Sequence, residues 1–106
     1  MEHSIREDQG NTIVEFRGEV DLESSPKART ILLDCVGEGK PVFVDMSGVT
    51  YIDSSGVASL VESFQSARAS GTEFALVSVS EEAMRVIQLA RLDKIFTIHA
   101  SLGDAT

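Results

Sequence analysis

The chain has 106 residues, 42% of them hydrophobic and 25% charged, a balance that suits one small globular core and not a disordered segment. Its 17 acidic residues against 9 basic ones give a formal charge of -8, which disfavours nucleic acid and anionic membranes as direct partners. The lone cysteine, Cys35, excludes an intramolecular disulfide, argues against a cysteine-based zinc site and reads as a small buried hydrophobe. The first twenty residues scatter Glu2, Arg6, Glu7, Asp8 and Glu15 where a signal peptide needs an apolar run. No stretch reaches the ~20 apolar residues of a membrane span, so a cytoplasmic protein is predicted.

In chain order, Ser4 to Glu7 reads as a short first strand and Gln9-Gly10-Asn11 as a turn. Thr12 to Arg17 alternates as a second strand, which suggests a hairpin. Ser25-Pro26 opens a first helix, with serine as N-cap and proline at the first helical position. Ala28, Ile31, Leu32, Cys35 and Val36 fall on one face, and Gly37 or Gly39 stops the helix. Val42-Phe43-Val44 is an apolar run of strand length, consistent with a central strand covered on both faces.

A second helix begins near Ser54, buries Val57, Leu60, Val61 and Phe64, and ends at Gly71. Phe74 to Val79 gives another buried strand. Ser80 caps a third helix whose first turn carries Glu81 and Glu82, favourable at the positive end of the dipole. Ile95 to Ile98 adds an edge strand, and Ser101 to Thr106 is at most one frayed turn. Strands alternating with helices after an opening hairpin predict an α/β fold with a mixed sheet of four to five strands packed against helices, and one domain over residues 1–106.

Three polar segments fall at predicted element ends: Gly18-Glu19-Val20-Asp21, Asp45-Met46-Ser47-Gly48, and Tyr51-Ile52-Asp53-Ser54-Ser55-Gly56. Loops at strand carboxyl ends in such sheets converge where ligands bind, so the three are expected to share one surface. Ser54 is the expected N-cap of the second helix. A phosphate on it would face unpaired amides and the positive helix end, while adding about -1.5 to -2 charges to the surface. Taken alone, Asp-Ser-Ser-Gly is equally good chemistry for a plain helix start.

A catalytic serine finds no base here: His3 and His99 show no spacing that fits a catalytic pair or a metal, and both read as surface residues. No phosphate-binding glycine loop is present, which opposes a nucleotide-binding or nucleotide-hydrolysing reading. Asp45 as a receiver-type phosphoacceptor lacks the acidic companions after the first strand and the later lysine that such a magnesium site needs.

At these residues the chain resembles the STAS domain family, and within it the bacterial anti-sigma factor antagonists. The resemblance rests on Gly18 to Asp21, on Val42 to Ser47, on Tyr51 to Val57, and on Arg91-Leu92-Asp93-Lys94-Ile95-Phe96-Thr97-Ile98, in register along almost the whole chain. It implies that Ser54 is the phosphoacceptor and that Asp21, Asp53, Ser55 and Gly56 belong to the partner-binding surface. It also implies a partner switch without enzymatic activity or firmly bound cofactor. The unphosphorylated form would bind an anti-sigma factor that is also a serine kinase, and a serine phosphatase would reverse the modification. The alternative within the resemblance is an adaptor subunit of a membrane lipid-transport ABC system. Such subunits carry Asp-Thr-Ala-Gly-like sequence, against which Asp53-Ser54-Ser55-Gly56 argues. Two features depart from the family pattern: Arg91 stands where many relatives have glycine, and the final helix is short.

Overall fold

Residues 1–105 are described here from a computed structural model. Gln9 and Gly10 both take positive φ, 54° and 81°, the mark of a two-residue turn whose twist matches the strands that it joins. It connects β1 (Glu2–Asp8) to β2 (Asn11–Val20) in an antiparallel pair. From there the chain alternates: α1 (Ser25–Gly37), β3 (Val42–Ile52), α2 (Ser54–Ser70), β4 (Phe74–Val77), α3 (Glu81–Leu89), β5 (Thr97–His99) and α4 (Leu102–Ala105). The five strands lie in sequence order in one sheet, with β2 to β5 mutually parallel. This is the α/β mixed sheet expected from the sequence.

One face of the sheet carries most of the core. Val14 and Phe16 of β2, Val44 and Met46 of β3 and Leu76 of β4 pack there against Leu32 of α1, Leu60 of α2 and Ile87 of α3. Each such side chain, taken out of water, contributes about 1.5–3 kcal/mol. Cys35 is buried in the same cluster, as expected, and its burial raises the thiol pKa. The opposite face presents Ile13, Phe43, Ala75 and Val77, packed against Leu102 and Ala105 of α4. The tail is therefore one helical turn, and it is docked; Thr106 lies outside the described residues. No helix among the described residues is long and apolar enough to cross a membrane.

Several boundaries differ from the sequence expectation. β2 runs on to Val20 and β3 to Ile52, so Gly18 to Val20 and Asp45 to Gly48 lie inside strands and not in loops after them. Inward-facing Met46, Val49 and Ile52 sustain β3, and shifts in the β2–β3 register take up the irregular spacing. β4 stops at Val77 because Ser78 leaves the extended region at φ 51°. Ile95 and Phe96 belong to a turn after α3, since both N–H groups donate to the Leu92 carbonyl, and β5 begins only at Thr97. Ser25 is not the N-cap of α1: Ser24 holds that position without a side-chain cap bond, and Ser25 is the first helical residue.

Two helices end by the same device on different residues. After α2, Gly71 takes φ 74°, its N–H donating to the Arg68 carbonyl and that of Thr72 to Ala67. After α3, Arg91 takes φ 61°, its N–H donating to Gln88 and that of Leu92 to Ile87. Both close the helix by a left-handed residue, a conformation that glycine adopts freely and arginine does not. Arg91→Gly is accordingly expected to stabilise the chain by about 0.5–1 kcal/mol, measured as a raised urea midpoint.

Candidate functional site

β2 and β3 run parallel to their ends, where Val20 stands opposite Ile52, and each chain then turns into a helix. The β2–α1 turn is held by Asp21 and Ser24. Ser24 donates its N–H and its hydroxyl to Asp21 Oδ1, each at 3.0 Å, and the Asp21 N–H returns to Ser24 Oγ at 3.0 Å. The Ser24 N–H and hydroxyl bonds hold the Asp21 carboxyl below its usual pKa.

The β3–α2 turn is held by Asp53. Its backbone is extended, φ -113° and ψ -172°, and its carboxylate caps α2. Oδ1 accepts the Ser55 N–H at 3.0 Å, the Gly56 N–H at 3.1 Å and the Ser55 hydroxyl at 2.6 Å. Oδ2 reaches across to the other turn and accepts the Leu22 N–H at 3.1 Å. These bonds, that of the Ser55 hydroxyl foremost, keep the carboxyl ionised to lower pH than an ordinary aspartate. Gly56 is obligatory beneath this cap. A Cβ there would run into the Val20 carbonyl oxygen and stand 2.7 Å from Ile52 Cγ1, so the two turns are pressed together at backbone level.

The structure brings Asp21, Asp53, Ser54, Ser55 and Gly56 to one corner, but gives two of them other parts than the sequence suggested. Asp53, not Ser54, is the N-cap of α2. Ser54 is the first helical residue; it is exposed, and among the described residues its hydroxyl has no hydrogen-bond partner. Ser55, by contrast, is half-buried with its hydroxyl committed to Asp53. Three of the amides expected to await an anion are also occupied: Ser55 and Gly56 donate to the Asp53 carboxylate, and Val57 donates to the Asp53 carbonyl.

Asp45 is not part of this corner. It lies seven residues before Ile52 on β3, roughly 20 Å along the strand, with its Oδ1 satisfied by the Ser47 N–H and hydroxyl. His3 on β1 and His99 on β5 sit at opposite edges of the sheet, each half-buried where surface positions were expected. Two exposed side chains beside the corner were given no role by the sequence, although Tyr51 lies within one of the segments singled out there. Leu22 is 75% exposed although its N–H is pinned by Asp53, and Tyr51, opposite Glu19 in the sheet register, is 49% exposed. An isolated leucine in an acidic turn and a tyrosine at a strand end carry no periodic signal that would set them apart.

Asp53→Ala removes the cap of α2 and is expected to cost about 0.5–2 kcal/mol. Because the folded pKa lies below the ordinary 3.8, the carboxylate's contribution is complete above that value and fades as the pH falls through the lower folded value. Asp21 acts with the same sign. Thermal unfolding followed from neutral pH down to about pH 2 should show wild-type stability dropping below about pH 4, and a shallower drop for Asp53→Ala.

The sequence model of the STAS domain matches residues 2–105. The anti-sigma-B factor antagonist of Listeria monocytogenes is 32% identical over 88 residues, covering 82% of this chain and 77% of that protein. The protein of the same name from Bacillus subtilis is 26% identical over 96 residues, covering 91% of this chain and 88% of its own length. A solved anti-sigma factor antagonist from Mycobacterium paratuberculosis superposes with a TM-score of 0.89 at 26% identity, covering 98% of this chain and 89% of its own. With a parallel sheet behind an opening hairpin and a capped serine corner at the ends of β2 and β3, the chain belongs to the STAS domain family.

Proposed function

We propose that the chain is an anti-sigma factor antagonist, a cytoplasmic partner switch governed by the phosphorylation state of Ser54. The observation that carries the proposal is the contrast between two adjacent serines. The Ser55 hydroxyl is bonded inward to Asp53, whereas that of Ser54 stands exposed and unpartnered among the described residues. The names of the relatives support the antagonist reading over that of a lipid-transport adaptor.

On this reading the chain binds and the partner does the chemistry. An anti-sigma factor with serine kinase activity transfers the terminal phosphoryl group of ATP to Ser54 Oγ. The new O–P bond replaces the one to ADP, and the hydroxyl proton passes to a base of the kinase. A serine phosphatase hydrolyses the ester. The occupied amides of Ser55 and Gly56 determine where the phosphate goes. It cannot settle onto the helix end without displacing Asp53, so its charge stays at the surface beside Asp21 and Asp53. A bound partner would meet it there, and a penalty of about 2.7 kcal/mol weakens binding ~100-fold.

Incubation with candidate anti-sigma kinases and ATP, followed by mass spectrometry, should place one phosphate on Ser54 and none on Ser55. Ser54→Ala should keep its affinity for the cognate anti-sigma factor and Ser54→Asp should lose most of it. If Ser54 stays unmodified by every kinase and both variants bind alike, the switch is refuted. Co-purification with an ABC ATPase would favour the adaptor.

A further inference from the structure

The pole of the molecule opposite Ser54 carries a second surface of a different kind. Leu89 at the end of α3 is 79% exposed and Ile95, six residues on, is 55% exposed. Between them stand Arg91 and Lys94, which with Leu89 line one hollow. Both cations lack an ion-pair partner among the described residues, as do Lys27 and Arg68, whereas Arg6, Arg17, Arg29, Lys40 and Arg85 each have one. Asp93 is the one carboxylate in that hollow. Arg91 also keeps its left-handed φ of 61° where glycine would relieve it. Exposed leucine and isoleucine in the same short segment as two unpaired cations give this end of the chain an apolar and basic surface.

Its complement lies on the same chain. At the ends of β2 and β3, Tyr51 stands exposed opposite Glu19 in the sheet register and Leu22 stands exposed between Asp21 and Glu23; the three acidic residues line a hollow with Met1, Ser24 and Lys27. The two surfaces sit at opposite ends of parallel strands: Thr97, two residues after Ile95, pairs with Ala75 and so with Phe43 near the start of β3, while Tyr51 is near its finish. One is apolar with an acidic rim, the other apolar with a basic one. Opposite poles cannot meet within one molecule.

We propose that the Leu89–Ile95 surface receives the Leu22–Tyr51 surface of a second copy of this chain, in a head-to-tail contact. Such a contact is heterologous: each copy keeps one free acidic and one free basic pole, so association continues from dimer to short chains. The area offered by two such corners is small, so the association is weak and concentration-dependent. The formal charge of -8 opposes it at long range, but beyond ~10 Å that repulsion is screened at about 0.1 M salt, which leaves the local rims to decide.

Sedimentation equilibrium of the full chain, up to millimolar concentration, tests this with two exposed double variants whose folding is checked by circular dichroism. Arg91→Glu/Lys94→Glu keeps the acidic pole and loses the basic one; Glu19→Lys/Glu23→Lys does the reverse. Wild-type mean mass should rise with concentration past that of a dimer, and each variant alone should remain monomeric. The acidic-pole variant is the sharper of the two, because it lowers the net charge from -8 to -4 and with it the general repulsion. An equimolar mixture should recover the wild type's rise in mass past that of a dimer, since the native rims pair in one contact and the two reversed rims complement each other in the next. A monomeric wild type, variants that associate as the wild type does, or a mixture that stays monomeric would each overturn the proposal.

Discussion

One carboxylate joins the two turns on which the candidate site is built. Asp53 accepts three backbone N–H groups and one hydroxyl, two of the amides from the first turn of α2 and the third from Leu22 in the turn before α1. An ionised carboxylate is the one common side chain with room for four donors and no donor of its own, and charge-assisted bonds are the stronger kind. Asparagine or serine in its place would leave amides of the corner unpaired. Asp53 therefore fixes where α2 starts, where Leu22 lies, and as a consequence which serine is left facing solvent.

The layer beneath keeps that joint tight. Gly56 lets the first turn of α2 rest on the Val20 backbone, and the buried Ser59 lies within reach of two backbone carbonyls, those of Ser25 in α1 and Ser55 in α2. Ser63 follows one turn later, buried and bonded to the Ser59 carbonyl. Small hydroxyl residues on this stripe let α1 and α2 approach closely while every polar atom stays satisfied. At the rim of the same contact, exposed Arg29 of α1 pairs with Glu62 of α2. Cap, glycine and serine stripe together tie the exposed hydroxyl of Ser54 to the centre of the domain, so the modification proposed there would be presented from fixed geometry.

Much of the fold was legible because its signals are local and repeat. Helical spacing from Ala28 to Val36 and from Val57 to Phe64, the apolar runs of β3 and β4, and the Gln9-Gly10 turn each point to a single kind of element. The misread boundaries share a cause. Asp45-Met46-Ser47-Gly48 has the composition of a turn, yet Asp45 satisfies Ser47 locally while Met46 and Val49 hold the backbone in the sheet. In Asp53-Ser54-Ser55, aspartate and serine are comparable N-caps, and sequence gives no means of choosing between them. What decides is tertiary: only a carboxylate at 53 can reach Leu22, thirty-one residues earlier, as well as its own helix. The same long-range contact hid the exposed Leu22 from a reading based on periodicity.

The central claim is that a single side chain holds both turns, and amide hydrogen exchange of Asp53→Asn against wild type tests it most directly. Asparagine keeps the size but loses the charge and one acceptor oxygen. If Asp53 is the joint, the amides of Leu22, Ser55 and Gly56 lose protection together in the variant while those of β4 and α3 do not change. If Leu22 keeps its wild-type protection while Ser55 and Gly56 lose theirs, the two turns are held independently and the account is wrong.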